Sequence, residues 1–214
     1  MKRWCIGMAA VWATGSGLVA LAQGTSAPPA AISSASVRPS GEAADLLSGG
    51  RQSLQEEKWT EAAALFEKAL SLDAGNAEAM FGLSAAYIQL DMLAEALPLL
   101  LKLHGQLPLN PMVKNNLAWV YLKSKDPAVK DPRKAVKFAR DAVLDVPADY
   151  SIWNTLAEAY YAAGQFDRAR RAAQSAVRLS TLAGVTNNPA SRELLERCRK
   201  AAGASAQDEA GKEP

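Results

Sequence analysis

The chain has few of the residues that metal sites and nucleophilic catalysis require. Among 214 residues there is one histidine, His104, and there are two cysteines, Cys5 and Cys198. Such sites need clustered His, Cys or carboxylate groups at fixed spacings, and His104 is far from either cysteine along the chain. No phosphate-binding loop ending in Gly-Lys-Ser/Thr is present either. The sequence therefore predicts a protein that is not an enzyme and uses no metal or other cofactor.

A net charge of one sign is also missing. The formal charge is +2, and Lys2 and Arg3 account for all of it, because the remainder holds 22 basic and 22 acidic residues. Proteins that bind nucleic acid through its phosphates normally carry a clear basic excess. We therefore expect no nucleic-acid partner.

Aromatic residues make up only 7% of the chain, although hydrophobic residues make up 49%. The apolar content is therefore mostly Ala and Leu, which favour helix over strand. This composition predicts an all-α protein.

The N-terminal segment has a basic start but no charge between Trp4 and Leu21. Small residues at positions 20 and 22 fit a cleavage site, so the pattern predicts a signal peptide over residues 1–22 and an exported protein, periplasmic or secreted. The alternative is an uncleaved membrane anchor, because the uncharged run approaches the roughly 20 residues that cross a bilayer. Residues 23–42 are rich in Ala, Ser and Pro and are predicted to form a disordered linker.

A self-similar pattern of large and small apolar residues begins near residue 43 and recurs along the chain. Its clearest copy contains Trp153, Leu156, Ala157, Tyr160, Gly164, Phe166, Ala169, Ala173 and Ala176. This order resembles the tetratricopeptide repeat (TPR), in which a first helix offers large residues around one small residue and a second helix offers small residues. Gly75, Pro108, Pro147 and Gly164 recur at the turns, which argues against a continuous coiled coil.

Four copies are predicted, over residues 43–76, 77–110, 111–149 and 150–183, and the third is five residues longer because of an insertion. The resemblance implies an all-α fold, a right-handed α-α superhelix of about four TPR helix pairs plus a C-terminal capping helix within residues 184–203. Residues 204–214 are predicted to be a disordered tail. The segment Asp131-Pro132, inside the insertion, is predicted to start a helix, with Asp as its cap.

The resemblance also implies a concave groove, lined by the first helices, that binds a protein or peptide partner. One TPR subclass holds a chaperone's C-terminal carboxylate with Lys and Asn residues that are not reproduced here, which disfavours a cytosolic co-chaperone. The groove places are occupied by Leu47, Arg51, Phe81, Ile88, Met112, Asn115, Trp119, Leu122, Asn154, Glu158 and Tyr161.

Trp119 has two interpretations. An indole exposed among Phe81, Ile88 and Met112 would form the apolar patch that marks a binding surface. Alternatively, it packs against a neighbouring first helix. Asn115, Asn116 and Asn154 could hydrogen-bond the backbone of an extended peptide.

Charge is unevenly distributed along the repeats. Residues 41–110 hold 10 acidic and 4 basic residues, whereas residues 111–203 hold 9 acidic and 16 basic residues. Arg168, Arg170, Arg171 and Arg178 form a predicted basic patch that could meet an acidic partner or an anionic surface.

Together these patterns predict a non-enzymatic adaptor of the bacterial cell envelope, with a protein or peptide partner that the sequence does not identify. The alternative is a signal-anchored membrane protein whose basic C-terminal repeats contact anionic lipid or an acidic partner. Membrane contact through the leader requires that the leader stay uncleaved.

Overall fold

A computed structural model describes residues 41–185 and 188–210, with side chains as far as residue 204. The predicted signal peptide and nearly all of the predicted linker lie outside the described residues. Within the described residues all regular structure is helical, and the helices are α1 (Gly41–Gln55), α2 (Trp59–Leu72), α3 (Ala77–Gln89), α4 (Leu93–Gln106), α5 (Pro111–Lys123), α6 (Pro132–Asp145), α7 (Tyr150–Ala162), α8 (Phe166–Leu182) and α9 (Pro189–Ala210).

Most helices of the repeats have nearly the same length. The first helices α3, α5 and α7 have 13 residues each, and the second helices α2, α4 and α6 have 14 each. The predicted all-α class, built from TPR helix pairs, is confirmed. At one repeated place in the second helices stand Ala62, Ala96, Ala135 and Ala169, all of them fully buried. In the pairs α1–α2, α5–α6 and α7–α8 these small side chains let the two helices approach closely.

Polar caps fix where several helices begin. The side-chain oxygens of Asn76, Asn110 and Asp149 accept hydrogen bonds from the first backbone N–H groups of α3, α5 and α7. Asp131 caps α6 in the same way, by accepting from the backbone N–H groups of Arg133 and Lys134 at 3.0 Å each. The predicted helix start at Asp131-Pro132 is therefore confirmed, and its cause is local.

The chain divides after Leu90 into two compact units. In the first unit, α1, α2 and α3 all contact one another around the fully buried ring of Phe66. Gly50 departs from the usual repeat pattern, and here the departure has a packing cause: a Cβ atom at Gly50 would lie 2.7 Å from Cζ of that ring.

In the second unit each helix packs against the next, and the first helices α5 and α7 also contact each other. Its core combines alanines of α6 and α8 with larger side chains of α7, such as Ile152 and Leu156. Pro98, inside the second helix of the second copy, predicts a kink or a late start there. The helix α4 begins at Leu93 and continues past Pro98, so no late start occurs.

The last helix, α9, packs against α8 and α7. Leu194, Leu195 and Cys198 extend the core of the second unit, as the predicted capping role requires, while the charged residues of α9 as far as Lys200 are exposed. The helix continues to Ala210, beyond the predicted boundary at residue 203. The extension is rich in Ala, the residue with the highest helix propensity, and residues 211–214 lie outside the described residues.

Candidate functional site

The first unit contains four of the predicted groove residues. Leu47 and Ile88 are only 5% and 6% exposed, so they offer a partner little surface. Phe81 is half-buried. Arg51 of α1 forms an ion pair with Glu78 of α3, which links the two first helices of this unit.

The second unit brings its first helices α5 and α7, with the cap α9 beyond them, into one contiguous layer. Five side chains from these helices form a connected group, which we call the first-helix site: Trp119, Lys123, Glu158, Tyr161 and Arg197. Three of them were predicted as groove residues from the repeat register.

Glu158 lies at the centre of the first-helix site. Its carboxylate is close to fully buried, and each of its oxygens accepts from a different cation: Lys123 Nζ at 3.1 Å and Arg197 Nη1 at 3.2 Å. Since the two cations come from α5 and α9, the carboxylate on α7 ties three helices together. Partial burial acts to lower the pKa of Arg197, but the charge of Glu158 and its hydrogen bond outweigh this, and the pKa of Arg197 is raised.

Aromatic rings lie at both ends of this ionic group. Lys123 Nζ is 4.9 Å from the centroid of the Trp119 ring, and Arg197 Cζ is 4.9 Å from the centroid of the Tyr161 ring. Both distances are in the range of cation–π interactions. Trp119 and Tyr161 are half-buried, so each ring keeps part of its surface exposed.

The other predicted groove residues of the second unit are mostly buried. Leu122 is 6% exposed, and Met112 is half-buried. Asn154 Nδ2 donates to Ser191 Oγ at 2.8 Å, which ties α7 to the cap. Asn115 and Asn154 are 8% and 4% exposed, so in this conformation their amides lie between helices and are not displayed for a peptide.

The predicted basic patch lies on α8, away from the first-helix site. Arg168, Arg171 and Arg178 are exposed and Arg170 is partly exposed. Arg170 pairs with Asp167 at 3.3 Å, and Arg168 donates to Gln165 Oε1 at 2.9 Å.

Two members of the first-helix site, Lys123 and Arg197, were not predicted. Lys123 stands four residues after Trp119, one turn further along α5, and this spacing was a signal that both side chains share a face. Arg197 carried no such signal, because its partner Glu158 is 39 residues away in the sequence.

The described residues were compared with the requirements of metal binding and of membrane spanning. No group of three or more His, Cys, Asp or Glu side chains in this part of the chain is arranged to hold a metal ion. None of the helices within the described ranges is both long enough and apolar enough to cross a bilayer.

Comparison with known proteins identifies the class of protein. Residues 53–120 match the family model for the tetratricopeptide repeat. The predicted resemblance to the tetratricopeptide repeat is therefore confirmed for residues 53–120. No curated protein matches the sequence.

Solved structures with the same fold align with this chain over nearly their whole length. A thermophilic TPR protein of Thermus thermophilus, TTC0263, aligns with a TM-score of 0.60 and 20% identity, over 80% of this chain and 93% of its own. MamA 41-end from Desulfovibrio magneticus RS-1 aligns with a TM-score of 0.59 and 18% identity, over 82% of this chain and 99% of its own. At these identities the likeness concerns the fold.

Proposed function

We propose that this protein is a non-enzymatic scaffold that holds a peptide or protein partner against the first-helix site of its second unit. The observation that carries the proposal is the half-buried indole of Trp119 beside Lys123, whose ammonium group is already held by Glu158. A rigid aromatic side chain next to fixed cations loses little conformational entropy when a partner binds. Such residues dominate the binding energy at interfaces.

The two half-buried rings and the cations between them favour an extended partner segment with both apolar and acidic side chains. Apolar side chains would cover Trp119 and Tyr161, and a carboxylate would approach Lys123 and Arg197, which together carry one positive charge more than Glu158 neutralises. The TPR fold, which commonly mediates protein–protein contacts, supports this role.

We place the scaffold in the bacterial cell envelope, as a soluble exported protein. The basic start and uncharged run of residues 1–22 support this location. Mass spectrometry of the native N-terminus tests it: a start at Gln23 is expected, whereas an intact leader would favour the membrane-anchored alternative.

The binding site is tested after the partner has been identified by pulldown from an envelope extract. Trp119→Ala is expected to weaken binding of that purified partner by about 2 kcal/mol or more, measured by calorimetry. The matched control is Trp153→Ala, because Trp153 packs against the core and donates to the carbonyl oxygen of Pro147. Trp153 is half-buried, so that control should lower stability by roughly 1–3 kcal/mol.

The two variants separate a binding role from a packing role. If Trp119→Ala lowers the melting temperature as much as Trp153→Ala does, Trp119 is a core residue. A folded Trp119→Ala variant with full affinity would refute the first-helix site as the binding surface.

A further inference from the structure

The second helices of the second unit, α6 and α8, share a pattern on their outer faces. On α6, Arg133, Lys137, Arg140 and Leu144 are spaced by four, three and four residues, so they form one stripe along the helix. All four are exposed, and Leu144 is 74% exposed.

The helix α8 repeats the pattern. Arg168, Arg171 and Arg178 lie along one side, and Leu182, which is 77% exposed, ends the row. We call the two rows the cationic stripes, and each one runs from cations near the start of its helix to a leucine in its last turn. The partly exposed Arg170 does not belong to the α8 stripe.

The stripes face away from the protein interior. On α6 the fully buried residues Ala135, Ala139 and Ala142 each follow a stripe position by two residues, which is a rotation of about 200° around the helix. On α8 the same offset separates Arg171 from Ala169 and Arg178 from Ala176.

Acidic side chains neutralise the stripes only in part. Arg140 lies 4.0 Å from Asp141, and Asp167 pairs with Arg170, outside the stripe. Among the described residues, Arg133, Arg171 and Arg178 make no ion pair with an acidic group. The stripes therefore present an excess of positive charge to the solvent.

We propose that the cationic stripes dock the second unit on an anionic lipid surface. Guanidinium and ammonium groups attract anionic headgroups, and an exposed leucine at the end of each stripe can enter the boundary of the acyl chains. An acidic protein would satisfy the cations but would give no reason for an exposed leucine in the last turn of each helix. The helix α2 provides an internal comparison: it ends in Leu72, which is 49% exposed, but its outer face carries Glu61 and Glu67 and only one cation, Lys68.

This docking would leave the first-helix site open, because α6 and α8 pack on that layer through their opposite faces. The inference is therefore independent of the proposed partner site.

The test measures partition of the full-length chain onto vesicles of phosphatidylcholine, with and without one-third phosphatidylglycerol. The readout is the increase in binding caused by the anionic lipid, so any contribution of the N-terminal apolar segment to neutral vesicles is subtracted. Arg171→Glu with Arg178→Glu should reduce this increase about 25-fold, since each cation contributes about fivefold. Added salt should reduce it as well.

The matched control is Lys130→Glu with Lys200→Glu, two exposed cations outside the stripes. It makes the same change in net charge and should reduce binding much less. If the two pairs of reversals have equal effects, or if anionic lipid adds no binding, the proposal is wrong.

A second pair of variants separates lipid from an acidic macromolecule. Leu144→Ser with Leu182→Ser should reduce the anionic-lipid increase about tenfold while leaving the fold unchanged, because both side chains are exposed. Leu72→Ser in α2 should have no effect. Unchanged binding by the double leucine variant would contradict docking on lipid and would identify the stripes as a purely electrostatic surface.

Discussion

A Cβ atom at Gly82 would lie 2.3 Å from Cζ of the Phe66 ring, because this buried ring lies directly on the backbone of α3. Gly50 on α1 is in the same relation to the ring at 2.7 Å. Two glycines on two first helices thus admit one aromatic ring of the second helix α2. The packing of the first unit depends on the absence of two side chains.

Gly82→Ala is therefore expected to destabilise the protein by about 1–3 kcal/mol, the usual cost of overpacking a core. Gly105→Ala is the matched control, because Gly105 also lies in a helix but no atom is within 4 Å of the added Cβ. The control should stabilise by about 0.5–1 kcal/mol, since alanine loses less backbone entropy. Urea unfolding followed by circular dichroism measures both, and equal effects would contradict the close contact.

In the turns of the first, second and fourth helix pairs, one residue adopts a left-handed conformation. Glu57, Asp91 and Gly164 have φ values of 58°, 62° and 72°, and this region strains any residue with a side chain. Glu57→Gly should therefore raise the free energy of unfolding by about 1 kcal/mol, and Gly164→Ala should lower it by a similar amount. If both substitutions destabilise, the side chain of Glu57 contributes more than its backbone strain costs.

Glu158→Gln is expected to lower the free energy of unfolding by about 1–2 kcal/mol. The substitution removes the charge that holds Lys123 and Arg197, and both cations remain partly exposed, so water limits the loss. Glu196→Gln is the control, because Glu196 pairs with Arg199 on the surface and its loss should cost no more than about 0.5 kcal/mol. Thermal unfolding of the two variants at the same pH distinguishes them.

The sequence predicted features that depend on residues close together in the chain, and it missed features that join residues far apart. The Asp131 cap was predictable because it depends on backbone N–H groups only two and three residues later. The buried alanines of the second helices were predictable because they recur with the repeat. The ion pairs of Glu158 were missed because they join residues 35 and 39 positions apart. The need for glycine at Gly50 and Gly82 was missed for the same reason, since Phe66 lies on another helix.

Cys198 is expected to react slowly with thiol reagents in the folded protein. Its side chain is fully buried, and desolvation raises the pKa of the thiol to about 11, although the charge of Arg197 acts in the opposite direction. Because the thiolate is the nucleophile, the pKa alone should slow alkylation at pH 8 about 100-fold relative to the unfolded chain. Peptide mapping after iodoacetamide treatment isolates Cys198 from Cys5. Rapid modification of folded protein would contradict this burial.

The same pKa predicts a loss of stability in alkali. An unfolded chain ionises Cys198 near the ordinary value of 9.0, whereas the folded chain keeps the proton until about pH 11. Between these values the folded state binds more protons, so this contribution to stability is complete below pH 9 and falls as the pH rises toward 11. At pH 10.5 the loss should be about 1–2 kcal/mol.

Lysines and tyrosines also titrate in this range, so a control variant is needed. The free energy of unfolding is measured at pH 8 and at pH 10.5 for the native chain and for Cys198→Ala, and the two changes with pH are compared. The variant should lose less stability than the native chain by this amount, and parallel losses would show that the thiol does not ionise on unfolding.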